Sequence, residues 1–256
     1  MRMKATLVFA IALSIFVNAA RGAECRAVSG PQTAALVELY TSEGCSSCPP
    51  ADRWLSGLAS SRVVPIALHV DYWDYIGWKD PYAKREFSLR QRKLSQLQRM
   101  ALVYTPQVVL QGRDFRGWGT PAFDAAVARI AAQPAKASIS LSVRQASALG
   151  LEVEASAQLL DTAQQADAAL YLAAYENRLS SSITAGENRG RTLAHDYVVL
   201  EWLGPFAFGP GGQVAERRRV PLLPRASAGN SGVVGFVQSR RTAEVLQALM
   251  LAACPG

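Results

Sequence analysis

The pair Cys45 and Cys48, directly after an apolar run, is the feature that most constrains how this chain can fold. The run covers residues 34–41 and is short enough to be a buried strand. Two cysteines three positions apart at the end of such a strand lie close enough to exchange electrons with each other. The strand end also places them at the rim of a sheet, where a partner can reach them. The sequence therefore predicts a redox dithiol at a sheet edge.

The first 23 residues have the three parts of a secretory signal peptide. Arg2 and Lys4 supply the positive start, residues 5–17 are apolar, and small residues are frequent from 19 to 23. A membrane anchor would need about 18 or more apolar residues, and this run is shorter and ends at Asn18. We expect cleavage within 19–23 and a mature protein that is soluble in an exported, oxidising compartment, periplasmic or secreted.

The charge of the chain argues against a nucleic acid partner. The full chain carries 27 basic and 20 acidic residues, a net charge of +7. Three of the basic residues, Arg2, Lys4 and Arg21, leave with the signal peptide, so the net charge falls from +7 to +4. That excess is too small to indicate nucleic acid binding.

Two further cysteines lie near the ends of the mature chain. Four cysteines allow three pairings, and the sequence alone does not choose among them. Because Cys25 follows the signal peptide and Cys254 nearly ends the chain, we expect a structural disulfide between them. The alternatives are that these two form a second redox pair, or that Cys25 resolves a mixed disulfide.

The first half of the mature chain alternates strands with helices. Apolar runs predict strands at about 34–41, 63–70, 107–111 and 114–118. Helical patterns occupy about 50–59, 80–101 and 121–132. This order indicates an α/β layer structure with a mixed sheet.

Near residue 136 the apolar pattern changes to a period of two, which is typical of strands. Alternation covers residues 138–144 and 151–158, and further strands are predicted at 169–175, 197–203 and 233–238. Residues 242–253 predict a last helix, because their apolar side chains fall on one stripe. We therefore expect a signal peptide at 1–23, an α/β domain at 24–135, and a β-rich, sandwich-like domain with a C-terminal helix at 136–256.

The first half resembles the thioredoxin fold over roughly residues 34–132. The resemblance rests on the order strand, Cys-Ser-Ser-Cys, helix, strand, helix, followed by Tyr104-Thr105-Pro106-Gln107 opening a strand. In thioredoxin-like proteins a cis proline faces the dithiol. An X-Pro bond is cis in only about 5 to 6% of cases, so the residues alone would not predict a cis bond here. The resemblance places Thr105-Pro106 at the position of that proline and implies that these two residues bind substrate.

A closer resemblance is to a secreted thioredoxin-like family catalogued as domain of unknown function 1223 (DUF1223). The residues that carry it are 37–52, 69–74, 104–107, 176–178 and 186–190. The family's name brings no activity with it. The resemblance therefore implies only thioredoxin-like chemistry, in an α/β thioredoxin-like domain followed by a β-rich C-terminal domain.

This chemistry would make the protein a thiol-disulfide oxidoreductase that acts on exported proteins or small thiols without a cofactor or a metal. A helix N-terminus stabilises a thiolate, so Cys45 would attack and Cys48 would resolve the mixed disulfide. Two local features oppose this activation. Pro49 and Pro50 lack N–H groups, and Glu43 adds a negative charge if it lies near Cys45.

The alternative function is a non-catalytic periplasmic binding protein that holds a metal such as copper, or a protein partner, with the CxxC as a structural disulfide. A zinc site is disfavoured because the chain has no second CxxC. Soft thiolates suit Cu(I), but His69 or His195 would have to reach the dithiol. We interpret His69 and Asp71, on one face of a strand, as a histidine–carboxylate pair, with proton transfer to the dithiol as the alternative role. His195 is interpreted as structural.

Overall fold

The computed structural model describes residues 23–58, 62–147, 150–223 and 228–254. The signal peptide predicted at 1–23 therefore lies outside the described residues, apart from its last position. Among the helices in the described ranges, none has the length and apolar character needed to span a membrane.

The described chain before residue 136 contains five strands and three α-helices. The strands are β1 (Glu24–Val28), β2 (Ala35–Thr41), β3 (Val63–His69), β4 (Gln107–Leu110) and β5 (Arg113–Asp114). The helices are α1 (Pro49–Ser56), α2 (Arg85–Leu97) and α3 (Pro121–Ala131), and a 3₁₀ helix, Asp71–Ile76, precedes α2. The helices predicted here are confirmed, although α2 is shorter than its predicted range.

The described chain after residue 136 consists mainly of strands. They are β6 (Ala137–Ser147), β7 (Gly150–Leu159), β8 (Ala168–Glu176), β9 (Leu179–Ser182), β10 (Thr192–His195), β11 (Val198–Ala207), β12 (Gln213–Pro221), β13 (Ser231–Ser239) and β14 (Val245–Ala252). The predicted C-terminal helix is wrong, because its residues form β14. Residues 245–248 of this strand are all buried, and a short apolar run of this kind fits a buried strand as well as a helix.

Strands from both halves of the chain share one large sheet, which contradicts the expected fold class. The order in this eight-stranded sheet is β14-β13-β8-β11-β3-β2-β4-β5. The halves join where β11 runs parallel to β3, with Val198 opposite Ala67. The expectation of an α/β thioredoxin-like domain followed by a separate β-rich domain is therefore wrong. The sequence pattern identifies strands but does not say which strand lies beside β3, which is buried along its whole length.

Two kinds of layer cover the large sheet. A four-stranded sheet, β1-β6-β7-β12, packs against β8 and β13 through side chains such as Leu141 and Leu172. Helices α1 and α3 pack against the odd-numbered side chains of β2, including Val37 and Leu39. Helix α2 packs on the opposite face, where Tyr40 of β2 lies. Successive strand side chains point to opposite faces, so β2 and β3 are covered on both sides.

A disulfide joins Cys25 to Cys254, with the two Cα atoms 5.6 Å apart. Cys25 lies in β1, an edge strand of the four-stranded sheet, and Cys254 follows β14, an edge strand of the large sheet. The bond therefore ties the two sheets together at one edge.

Candidate functional site

The Cys45-Cys48 turn lies where the parallel strands β2 and β3 end. Thr41 is opposite His69 in the register of these strands, and the turn leads directly from β2 into α1. Helix α1 begins at Pro49, where a missing N–H costs little because the first helical N–H groups have no helical partner. The two prolines therefore start the helix at the second cysteine.

Cys45 and Cys48 form a disulfide in the structure. Neither residue has accessible surface, whereas Ser46 and Ser47 between them are exposed. The hydroxyl of Ser47 lies 3.3 Å from Sγ of Cys45. Cys48 is the N-cap residue of α1, so after reduction its sulfur lies at the positive end of the helix dipole.

A buried cluster of acids and bases lies against this turn. Nδ1 of His69 is 2.7 Å from Oδ2 of Asp80, and Nε2 of His195 is 3.1 Å from Oε1 of Glu43. The two imidazole rings meet edge to face with their centres 5.0 Å apart. All four residues are buried, so their charges interact in an environment of low polarity.

Asp52 connects the cluster to the helix that begins after the disulfide. It lies four residues after Cys48 on α1, and positions four apart share one face of a helix. Its Oδ1 accepts a hydrogen bond from the Thr41 hydroxyl (2.7 Å), and its Oδ2 is 4.0 Å from Nδ1 of His195. Burial raises the pKa of Asp52, although His195 and His69 act in the opposite direction.

The His69–Asp80 pair favours its charged form. Burial lowers the pKa of His69, but the charge of Asp80 and the hydrogen bond to it raise that pKa above its ordinary value. Burial raises the pKa of Asp80, but His69 lowers it below its ordinary value. The folded state therefore favours a proton on His69 and a negative charge on Asp80.

Two nitrogen atoms of the cluster lack a hydrogen-bond partner among the described residues. They are Nε2 of His69 and Nδ1 of His195, and both are buried. Native proteins leave few buried polar atoms unpaired, and those that remain call for an explanation. No group of three or more His, Cys, Asp or Glu residues in the described ranges has the arrangement of a metal site. The buried acids and bases of the cluster can exchange protons with one another.

Sequence reasoning found His69 but not its partner, and it did not predict that His195 lies beside His69. Asp71, the expected partner of His69, instead contacts the Ser88 hydroxyl. Asp80 lies eleven residues after His69 and beyond the 3₁₀ helix. His195 ends β10, which pairs with β9, and the strand that follows it pairs with β3 near His69. Nothing near His195 in the sequence indicates this position.

A loop from the second half of the chain covers the CxxC turn. It joins β9 to β10, and two of its side chains contact the turn. Nδ2 of Asn188 donates to the backbone carbonyls of Glu43 (2.8 Å) and Cys45 (3.0 Å). The backbone N–H of Ser46 donates to Oε2 of Glu187 (2.9 Å). The sequence analysis included residues 186–190 only in the family resemblance, and it predicted no contact between them and the turn.

The peptide bond between Thr105 and Pro106 is cis. The hydroxyl of Thr105 accepts a hydrogen bond from Nε1 of Trp73 (2.7 Å). Trp73 also packs against Gly44, where an added Cβ would lie only 3.1 Å from Cβ of Trp73. The side chain of Trp73 therefore connects the two segments. An open apolar cavity adjoins Thr105, lined by residues 100–104, Arg116 and Trp118.

The fold and the site together define a mixed-sheet protein in which a CxxC disulfide adjoins a buried acid–base cluster and is clamped by a loop from the second half of the chain. A family described as "Protein of unknown function (DUF1223)" matches residues 36–238. The chain belongs to this family. No curated protein matches the chain.

Two solved structures are similar to this chain along most of its length. Protein AGR_C_4864 from Agrobacterium tumefaciens is 24% identical, with a TM-score of 0.63, and the match covers 86% of this chain and 94% of that one. HBP35 of Porphyromonas gingivalis is 16% identical, with a TM-score of 0.65, and the match covers 88% of this chain and 76% of that one. At these identities the likeness shows the fold alone.

Proposed function

We propose that the protein is a thiol-disulfide oxidoreductase that exchanges the Cys45–Cys48 disulfide with thiols of exported proteins or small molecules. The observation that carries this proposal is the buried acid–base cluster beside a disulfide at a helix N-terminus. A purely structural disulfide gains nothing from buried histidines and carboxylates, which cost free energy to desolvate. Perturbed titratable groups beside a reactive group are typical of catalytic sites.

In the proposed reaction the oxidised protein accepts two electrons from a substrate dithiol. A substrate thiolate attacks Sγ of Cys45, the Cys45–Cys48 bond breaks, and Cys48 leaves as a thiolate that takes up a proton. The second substrate thiol then loses its proton and attacks the substrate sulfur of the mixed disulfide. Cys45 leaves in turn, so the substrate gains a disulfide and the protein holds two reduced cysteines.

Asp52 is suited to the proton transfer at Cys48. It lies one helical turn away on the same face of α1, and its pKa is raised by burial. A carboxyl group with a raised pKa is a better proton donor near neutral pH than an ordinary aspartic acid. His195 can exchange a proton with Asp52 at Nδ1, which lies 4.0 Å from Oδ2 of Asp52, and with Glu43 at Nε2, which lies 3.1 Å from Oε1 of Glu43.

The location we propose is an exported, oxidising compartment such as the periplasm. Two disulfides are present, one of which joins residues 229 positions apart. Disulfides persist in exported proteins and are rare in reducing compartments. The signal peptide read from residues 1–23 agrees with this location.

The variants Cys45→Ser and Cys48→Ser test the proposed reaction. We expect Cys45→Ser to abolish oxidation of a dithiol peptide. Reduced Cys48→Ser should instead attack a disulfide peptide through Cys45, release one peptide thiol and accumulate the mixed disulfide, which mass spectrometry detects. Circular dichroism would verify that both variants stay folded. A reduction potential of about −270 to −120 mV for the wild-type pair supports catalysis, and a value below about −300 mV contradicts it.

The second candidate is a binding protein in which the CxxC disulfide is permanent. The observation in its favour is that neither cysteine has accessible surface. In that case Cys45→Ser would lower stability while dithiol oxidation stays at the uncatalysed rate in wild type and variant alike.

A further inference from the structure

Glu187 is an exposed acidic residue that contacts the CxxC turn from the second half of the chain. Its Oε2 accepts the backbone N–H of Ser46 at 2.9 Å. Hydrogen bonds from Ser46 lower the pKa of Glu187, so its carboxylate is ionised near neutral pH. A negative charge is thereby held at the residue that follows Cys45.

The loop that carries Glu187 is anchored to the turn rather than lying free in solvent. Asn188, which is fully buried, donates to the carbonyls of Glu43 and Cys45. Its Oδ1 accepts a hydrogen bond from Nη1 of Arg191 (3.1 Å). The carboxylate of Glu187 therefore has a fixed place relative to the sulfur of Cys45.

The Ser46 N–H is one of the donors nearest to Cys45 in the chain. Backbone N–H groups and positive charges near a cysteine favour its thiolate, and negative charges oppose it. While Glu187 accepts this N–H, the donor is not available to Cys45. The negative charge of Glu187 and its hydrogen bond from Ser46 therefore both oppose ionisation of the Cys45 thiol.

We infer that Glu187 sets the reactivity of the dithiol by opposing the thiolate of Cys45 and so favouring the disulfide form of the pair. The inference rests on the proposed redox function, and it makes the second half of the chain part of the redox site. Glu187 is a positioning residue in this scheme, since it acts through the turn and through its charge and not on the substrate.

Glu187→Gln is the sharpest test, because glutamine keeps an oxygen that can accept the Ser46 N–H but removes the charge. After reduction, alkylation of Cys45 by iodoacetamide is followed from pH 5 to 10 by mass spectrometry, which separates Cys45 from Cys48. We expect an alkylation rate about two- to fivefold higher at pH 7, the size of an exposed charge interaction. We also expect a less negative reduction potential in glutathione or dithiothreitol buffers.

High salt provides a second readout, because it screens a charge but leaves a hydrogen bond nearly unchanged. The difference between wild type and Glu187→Gln should shrink in about 1 M salt. Glu154→Gln, an exposed carboxylate on the four-stranded sheet, is the matched control and should leave both quantities unchanged. The remaining charged or titratable groups around the turn are the same in wild type and variant, namely Glu43, Asp52, His69, Asp80, Arg191 and His195.

Unchanged alkylation profiles and potentials in Glu187→Gln would overturn the inference, even if Glu187→Ala lowers stability, since Glu187 would then only hold the turn. Cys45 that stays unreactive up to pH 10 in both proteins would overturn it as well. Failure of the proposed function would give a different result. The Cys45–Cys48 pair of the wild type would have a reduction potential below about −300 mV, while Glu187→Gln would still shift the alkylation profile.

Discussion

His69 and Asp80 form a buried pair whose effect on stability depends on pH. In the folded protein the pKa of His69 is raised, because Asp80 outweighs the effect of burial. In the unfolded chain the pKa of His69 returns to about 6.5. Between these two values the folded state holds a proton that the unfolded state has lost. The pair therefore stabilises the protein below about pH 6.5, and this contribution is lost as the pH rises through the raised pKa.

A comparison with His69→Gln makes this a testable prediction. Urea unfolding of the oxidised proteins is measured from pH 5.5 to 9. We expect the free energy of unfolding of the wild type to fall relative to that of the variant as the pH rises, by at most about 1.4 kcal/mol per pH unit. Parallel curves for the two proteins would mean that His69 carries no raised pKa in the folded state.

For single residues, the sequence identified the cysteine pair but little of its surroundings. Cys45 and Cys48 were found because their signal is local. His195, Asn188 and Glu187 reach the turn only through strand pairing far along the chain, with sequence separations of more than 140 residues. A single sequence contains no local pattern that reports such a contact.

Among the helices and strands, α2 contacts the large sheet through a buried ion pair between Arg90 and Glu38. Nε and Nη2 of Arg90 contact the carboxylate of Glu38 in β2 at 2.7 and 2.9 Å. The guanidinium also lies 4.5 Å from the ring centre of Trp202. Helix α2 carries many basic residues, and a pattern of this kind is typical of a solvated face, yet Arg90 is turned toward the sheet.

Arg90→Met should destabilise the protein by about 3–5 kcal/mol, because it leaves the buried charge of Glu38 without an opposite charge, with only the hydrogen bond from the Tyr40 hydroxyl remaining. Urea unfolding measures the loss. Arg92→Met, at an exposed position of the same helix, should change stability by about 0.5 kcal/mol or less. The double variant Arg90→Met with Glu38→Gln should regain part of the loss. Equal losses of stability in Arg90→Met and Arg92→Met would refute a special role for Arg90.

The elements themselves were predictable where their apolar period was clear, as in β7 and α3. The error at β14 has a physical cause. Its residues are apolar on both faces because one face meets the four-stranded sheet and the other meets the layer of α2. Such a strand loses the alternation that identifies half-buried strands.

At the scale of the whole molecule, the disulfide Cys25–Cys254 closes 229 positions into one loop. The chain-entropy model assigns about 5 kcal/mol to a loop of that length, and about 2 kcal/mol to the short loop closed by Cys45 and Cys48. We expect the double variant Cys25→Ser with Cys254→Ser to lose clearly more stability than Cys45→Ser with Cys48→Ser. Unfolding in urea without reductant gives the comparison, and the reverse order would contradict it.

The fold of the whole molecule could not be read from the order of elements. The order up to residue 132 is compatible with a domain that is complete by itself. What the sequence does not state is that β3 has a second neighbour, β11, supplied from the other half. Parallel pairing of strands so far apart depends on the global arrangement of the chain.

The disulfide also determines how the protein would respond to mechanical force. Cys25 and Cys254 lie at nearly opposite ends of the described chain, yet their Cα atoms are only 5.6 Å apart. A pull applied before residue 25 and after residue 254 would pass through one covalent bond and leave the sheets unloaded. The disulfide makes the folded chain a closed ring. Circular permutation, in which residues near 25 and 254 are linked and new ends are made in a surface loop, would therefore leave every strand in place.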